Sequence, residues 1–397
     1  MLNKQTIKDI DVKGKRILVR VDFNVPLDED QNITNTLRIL STLPTIRYLL
    51  DHKAKIILMS HLGRPKGKVI NELSLKPVYE HLKTLLNVPV KFAPDCIGSE
   101  VETMVNALNP QEILVLENLR FHQGETKNDP EFVAQLAKLG EFYVNDAFGT
   151  AHRAHASTEG VAKHLHGVAG FLMKKEIDYL ENTIENPTHP FIAVLGGKKV
   201  ADKIPVIKKL MERVDTILFG GAMVFTFLKA QGKEIGSSLL DEPGLVTAKE
   251  IMELAQAQNK KLIFPIDIVA ADKFSEEAQT KIVSIEEGIT PGWIGVDIGS
   301  KSIEKYSNVV KSAKTVLWNG PPGVFEINKF AQGTKELARV IAETDGLISI
   351  IGGGDTAAAV EKFGFREKVT HISTGGGASL ELLEGKILPG IAALQDK

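Results

Sequence analysis

The sequence predicts an α/β protein of two doubly wound parallel-sheet (Rossmann-like) domains joined by an interdomain helix and hinge. Three observations lead there. The chain has 397 residues, more than one core usually supports, since single cores stop growing near roughly 250–300 residues. Short, nearly continuous apolar runs alternate with longer amphipathic stretches, the pattern of strands buried on both faces between helices. The series occurs twice, on either side of a proline-bounded stretch that begins at Pro187.

The first half offers RILVRVDF, KIILMSH, PVKFAPD, EILVLENLRF, EFYVNDAF and VAGFLMKKE as strand runs. The second half offers FIAVLGG, TILFGG, LIFPIDIV, WIGVDIG, TVLWNG, LISIIGGG and VTHISTGGG. Between them, LMKKEIDYLENTIEN carries Ile177, Leu180 and Ile184 at helical spacing and runs into PTHP, which cannot continue a helix. This suits a connector. The expected domains are therefore 1–172 and 189–383, with 173–188 as linker. The closing ILPGIAALQDK has no strand left to pair with, and 384–397 is expected to pack back on the first domain.

Composition excludes several functions. The chain is 43% apolar, 25% charged and 6% aromatic, with a formal net charge of −2. No overall field would draw it to nucleic acid or an anionic membrane, and no basic patch with aromatic platforms is present. No apolar run approaches the roughly 18 residues of a membrane span. The opening stretch through Arg16 lacks the apolar segment of a secretory signal. Cys96 is the single cysteine, so no intrachain disulfide can form. A packed thiol and a reducing, cytoplasmic setting follow.

In parallel α/β sheets, ligands sit beyond the carboxyl ends of strands, and the unusual residues gather there. In the second half, ISIIGGGDTAAAV and THISTGGGASLEL each place three glycines between a strand and a helix. Bare backbone allows close approach, and free amides at a helix start favour anions. No Walker-type Gly-Lys-Ser/Thr occurs. Gly352–Ala357 fits a dinucleotide fingerprint, but the next strand ends in Ser-Thr-Gly rather than in the acid that would hold a ribose. In LGGKKVADKIPVIKKL, the chain turns on Gly196 and Gly197 into a helix with Val200, Ile204, Ile207 and Met211 as its apolar stripe. Lys199 and Lys203, four apart, would then share a face near the helix start and ask for an anion. Asp355 beside a phosphate cradle makes electrostatic sense when a cation intervenes, and Mg²⁺ takes few carboxylates plus phosphates. LWNGPPGVFE adds Asn319, rigid turns at Pro321 and Pro322, and Glu326 as an acceptor for ribose hydroxyls.

Seven of the ten arginines precede residue 172. Arg38, Arg64, Arg120 and Arg153 fall at strand ends or in loops, with His61, Asp22 and Asn24 in similar places. Several guanidinium forks on one rim suit a small, highly anionic ligand. HRAH, 152–155, has no third ligand of matching kind nearby and reads as an arginine flanked by hydrogen-bonding or core histidines.

These residues resemble the phosphoglycerate kinase family. RILVRVDFNVP, SHLGRP, LENLRF, VNDAFGTAHRAHAS, GFLMKKE, LGGKKVADKI, LWNGPPGVFE, IGGGDTAAAV and STGGGASLELLEG are similar to its signatures, in its order, from about residue 10 onward. The resemblance implies reversible transfer between ATP and 3-phosphoglycerate, giving ADP and 1,3-bisphosphoglycerate, with Mg²⁺. It implies substrate binding by Asp22, Asn24, Arg38, His61, Arg64, Arg120 and Arg153, and catalytic parts for Arg38, Lys199, Gly354 and Gly377. Nucleotide binding falls to Gly197, Lys199, Lys203, Gly221, Phe274, Gly295, Val296, Asn319, Pro321, Val324, Glu326, Gly353, Gly354, Asp355 and Thr356, with Asp355 on the metal. The family is usually monomeric and cytoplasmic, and hinge closure is expected near 172–190. Lys198, Ala222 and Pro322 depart from its usual pattern. The rival readings are a non-catalytic binder that keeps the fold and an NAD-dependent dehydrogenase.

Overall fold

The computed structural model describes residues 3–397. The chain divides into two compact units, one running to Asp178 and taking in Ile387–Lys397, the other spanning Tyr179–Lys386.

The first unit is built on β1 (Arg16–Arg20), β2 (Lys55–Met59), β3 (Val90–Phe92), β4 (Ile113–Val115), β5 (Phe142–Asn145) and β6 (His166–Ala169). They form one sheet in the order β3-β4-β2-β1-β5-β6, every neighbour parallel. Ile17, Leu18 and Val19 are all fully buried, which is why β1 shows no polar alternation: helices cover both faces. The helix Leu37–Asp51 lays Ile39, Leu43, Ile46 and Leu49 over one face. The strand order reverses between β1 and β5, so the loops after β1, β2, β4 and β5 open along one edge at the switch point. The C-terminal segment closes on this unit. Lys4 Nζ donates to Leu394 O at 2.8 Å, and Asn145 Nδ2 donates to Gly390 O at 3.0 Å.

The second unit contains β7 (Phe191–Leu195), β8 (Thr216–Phe219), β9 (Lys261–Ile263), β10 (Asp267–Ala271), β11 (Thr280–Ser284), β12 (Ile294–Ile298), β13 (Thr315–Asn319), β14 (Ile348–Gly352) and β15 (His371–Ile372). Six make a parallel sheet, β15-β14-β13-β7-β8-β9, with its switch between β7 and β13. Trp318, Val316 and Ile351 are fully buried on one of its faces.

The structure corrects the sequence reading in three places. LIFPIDIV is two strands: the chain leaves the parallel sheet after Ile263, passes Pro265, and β10 pairs antiparallel with β11 and β12. WIGVDIG therefore belongs to a small antiparallel sheet, not to the parallel one. VAGFLMKKE is strand only through Ala169, because Gly170 precedes the helix Phe171–Ile177. That helix continues through a wider π-type turn, Asp178–Asn182, into a last turn, Thr183–Glu185.

Candidate active site

In the first unit, loops from successive strands are tied together at the sheet's carboxyl edge. Arg38, in the first turn of its helix, lies with Nη1 3.1 Å from Asp22 Oδ2 and donates to Asn24 O at 3.0 Å. Asn24 Oδ1 accepts from Gly63 N at 2.8 Å, and Gly63 O accepts from Arg120 Nη1 at 2.8 Å. The loops after β1, β2 and β4 thus hold one another in place.

Cations exceed acids here. Arg64 and Arg153 are exposed, and among the described residues neither side chain makes a hydrogen bond or ion pair. Arg120 Nε is buried without a partner. Burial first, then the charges of Arg20 and Arg153, bring the Arg120 pKa down to about 10. His61 is buried, with Nδ1 3.1 Å from Arg20 Nη2. A guanidinium only donates, so Nδ1 accepts and the ring is neutral. Burial, then Arg20, Arg120 and Arg38, hold the His61 pKa well below its usual range. His155 is brought down to about 4 by burial, followed by Arg120, Arg20 and Arg153. Of the four sequence-predicted arginines, Arg38 alone pairs with an acid. A site that pushes protons off its own histidines is suited to a polyanion.

Arg20 went unread in the sequence. It is fully buried at the end of β1, donating from Nε to Ser157 Oγ at 2.8 Å. Ser157 Oγ in turn donates to buried Glu125 Oε1 at 2.6 Å. The available signal was a charge inside the apolar run RILVRV, which burial permits only with partners.

In the second unit a cleft of about 590 Å³ opens at the carboxyl ends of the strands. Its walls are apolar: Phe274, Val296 and Val324 line it together with Phe225 and Leu239. Phe274 and Leu239 are 63% and 54% exposed, large apolar surfaces left open to solvent. Gly295 is needed for this shape, because a Cβ there would lie 2.1 Å from Phe225 Cζ. Gly197, Gly221 and Pro321 supply backbone to the lining, and Asp297, Glu326 and Asp355 supply its carboxyl groups.

Polar groups gather at the ends of β7, β13 and β14. Lys203 Nζ donates to Asn319 Oδ1, and burial lowers the Lys203 pKa to about 8, against the opposing charges of Asp202 and Asp355. Asn319 is 2% exposed, yet its Nδ2 has no partner. That donor lies 3.6 Å from where a Cβ on Gly353 would sit. Gly353, at φ +86°, opens the helix Gly354–Lys362. A Cβ on Gly354 would meet nothing, so protein packing does not account for that glycine. Thr356 Oγ1 accepts from Gly320 N at 2.7 Å, locking the helix start to the loop after β13.

Lys199 and Lys203 do not share a helix face. A tight turn, Ala201–Lys203, leads into a helix that begins at Ile204 with Pro205 in its first positions, as proline's missing N–H allows. Lys199 lies before both, exposed in an irregular stretch, and its neighbour Lys198 lines the cleft. The second glycine triplet, with Gly376 at φ +51°, opens the short helix Gly377–Leu383. Gly377 is not part of the cleft lining. Asp297 lines the cleft and was not foreseen. Burial raises its pKa to about 7, and its Oδ2 accepts from Gly333 N at 2.7 Å, holding the start of the helix Gln332–Glu343.

A sequence model of the phosphoglycerate kinase family matches residues 7–386. The chain is 54% identical to a phosphoglycerate kinase of Chlorobaculum tepidum, with all of both chains covered. It is 56% identical to a cytosolic phosphoglycerate kinase of Nicotiana tabacum, over 98% of each. Among solved structures, the phosphoglycerate kinase of Coxiella burnetii superposes with a TM-score of 0.88 at 40% identity, over 98% of each chain. That of Pyrococcus horikoshii does so at 0.85 and 32%, again over 98% of each. The chain belongs to the phosphoglycerate kinase family.

Proposed function

We propose that the two clusters carry out the family's reaction, reversible phosphoryl transfer between ATP and the carboxylate of 3-phosphoglycerate. The observation that carries the assignment of sites is the cation surplus in the first unit: Arg64, Arg153 and the Nε of Arg120 have no partner among the described residues. A ligand with both phosphate and carboxylate fills that need. Arg38, Arg120, Arg153 and Arg64 bind it, Asp22 orients Arg38, Asn24 fixes the loop, and His61 donates from its protonated Nε2.

The nucleotide belongs in the other cleft. Its base lies between Phe274, Val296 and Val324, its ribose meets Glu326, and its phosphates meet Lys203, Asn319 Nδ2 and the free amides of Gly353, Gly354 and Thr356. Asp355 is exposed, lines this cleft and makes no hydrogen bond or ion pair, which fits a single-carboxylate share in a Mg²⁺ otherwise held by phosphates. Bound there, the ion would neutralise phosphate charge. The acceptor carboxylate is already ionised, so no base is required. The chain's part is to position two polyanions and to offset charge on the moving phosphoryl group, for which Lys199, Arg38 and the amides at Gly354 and Gly377 serve. Bringing the two ligands together calls for the hinge closure expected near 172–190. No described helix is long and apolar enough to cross a membrane; a cytosolic monomer completes the proposal.

Calorimetric titration of 3-phosphoglycerate at low and high salt tests the anion site. Binding should weaken with salt and weaken again in Arg64→Ala. Affinity indifferent to both would refute the assignment. A nicotinamide site on Gly352–Ala357 and a binder without turnover are not favoured, given membership of a kinase family along the whole chain.

A further inference from the structure

On the first unit, three side chains of metal-ligand type converge with no part in the transfer chemistry. Asp95 and Cys96 follow β3, while His122 follows the turn Leu119–Phe121 after β4. A carboxylate oxygen, the thiol sulfur and an imidazole nitrogen lie within 4.8 Å of one another. Asp95 and His122 are 27 residues apart in sequence, so local turn geometry did not assemble the group.

We propose that Asp95, Cys96 and His122 form a zinc site. A thiolate, an imidazole and a carboxylate are the ligands zinc prefers, at about 2.3, 2.0 and 2.0–2.2 Å. A tetrahedron with those bonds places its corners about 3.3–3.6 Å apart. His122 Nε2 now lies 2.7 Å from Asp95 Oδ1, a hydrogen bond across the corner a metal would share. As Zn²⁺ binds, the proton on His122 Nε2 passes to Nδ1 or to solvent, and the Cys96 thiol, whose pKa burial pushes up, gives its proton to solvent. The Nε2–Oδ1 pair moves apart by about 0.6 Å and the sulfur is drawn inward. Asp95 Oδ1 also accepts from Cys96 N at 2.6 Å, which holds the carboxylate beside the thiol. The His122 ring is steadied against Phe132, with centroids 5.3 Å apart, the kind of outer support that orients a ligand.

Access and selectivity agree. Cys96 is fully buried, but His122 and Asp95 are each part exposed. A surface hollow of about 310 Å³ is lined by His122 and by Ile97, the residue after the cysteine. Zinc would enter there and keep one position for water, as an open three-ligand site does. Magnesium demands oxygen ligands in an octahedron, so the nucleotide's ion would not compete. The site bridges the segments after β3 and β4.

Cobalt(II) is the probe, since a thiolate ligand gives it an intense near-ultraviolet charge-transfer band that oxygen and nitrogen ligands do not. Cobalt is titrated into the full chain without nucleotide and then displaced by zinc. The expected result is one equivalent of band-forming cobalt, bleached by one equivalent of zinc. Cys96→Ser should abolish the band. His122→Gln, a partly exposed position that does not risk the core, should weaken binding at least as much as the roughly 10–100-fold that an outer-shell partner costs. Zinc should raise the unfolding midpoint of the wild type and leave that of Cys96→Ser unmoved. A wild type without the band overturns the proposal, as does a band whose affinity survives His122→Gln.

Discussion

Replacing Arg153 with alanine should cost the reaction a great deal and the fold almost nothing. Its guanidinium is exposed and, among the described residues, makes no hydrogen bond or ion pair. Its charge disfavours protonation of its neighbours Arg120 and His155. Without ligand the side chain is repelled rather than held, so the stability change should stay within about 0.5 kcal/mol, in either direction. With a phosphorylated acid bound, a charge-assisted hydrogen bond contributes about 1.5–3 kcal/mol. At about 1.36 kcal/mol per decade, its loss lowers kcat/KM for 3-phosphoglycerate roughly 10- to 150-fold. Arg153→Lys keeps the charge without the planar fork and should fall between. Initial rates against 3-phosphoglycerate at saturating MgATP give the first quantity, and thermal unfolding without ligands gives the second. Unchanged kcat/KM, or a loss matched by a fall of several degrees in the unfolding midpoint, would refute the reasoning.

Other positions follow the same logic. The His155 pKa is near 6.5 unfolded and about 4 folded. Between those values the unfolded chain holds the extra proton, so stability drains away as pH falls from 6.5 toward 4. His155→Gln should shallow that limb in denaturant titrations, and an unchanged slope would contradict the assignment. Asn319→Asp keeps an acceptor for Lys203 but turns an unpartnered donor into an oxygen facing phosphate; ADP affinity measured by calorimetry should drop roughly 10- to 150-fold, the equivalent of about 1.5–3 kcal/mol. Equal affinity would show that Nδ2 meets no ligand. Gly221→Ala adds a Cβ 2.8 Å from Gly197 N at φ +64°, and should cost about 1–3 kcal/mol by thermal unfolding. An unmoved midpoint would show that the crossing of these two loops is soft.

Much of the fold could be read because its strands are buried on both faces. Runs such as ILV and FIAVL have no polar break, and the structure gives them none to expose. The small antiparallel sheet could not be read for the same reason inverted. Three of the five β11 residues are exposed, so no apolar run marks it. Nothing local tells β10 and β12 which way their partners run, since direction comes from pairing with distant chain. Pro265 was the one local hint that LIFPIDIV is broken. The Lys199 error has a similar origin: helical period is clear from Ile204 onward but says little about where a helix begins, and Pro205 was the better guide. Within the sites, Arg120 stood out as a charge just beyond a strand and Arg38 as a charge among polar residues, although the structure puts Arg38 in the first turn of a helix. Arg20 and Asp297 did not, because each sits inside an apolar run. Their partners, Ser157 and Gly333, lie far along the chain.

The central claim is that this chain moves a phosphoryl group from ATP to 3-phosphoglycerate through a site that includes Lys199. ADP formation from MgATP, with and without 3-phosphoglycerate, in wild type and Lys199→Ala, tests it most directly. Turnover should require 3-phosphoglycerate and collapse in the variant while its unfolding midpoint holds. ATP left untouched by the wild type, or consumed equally without the acid, would contradict it.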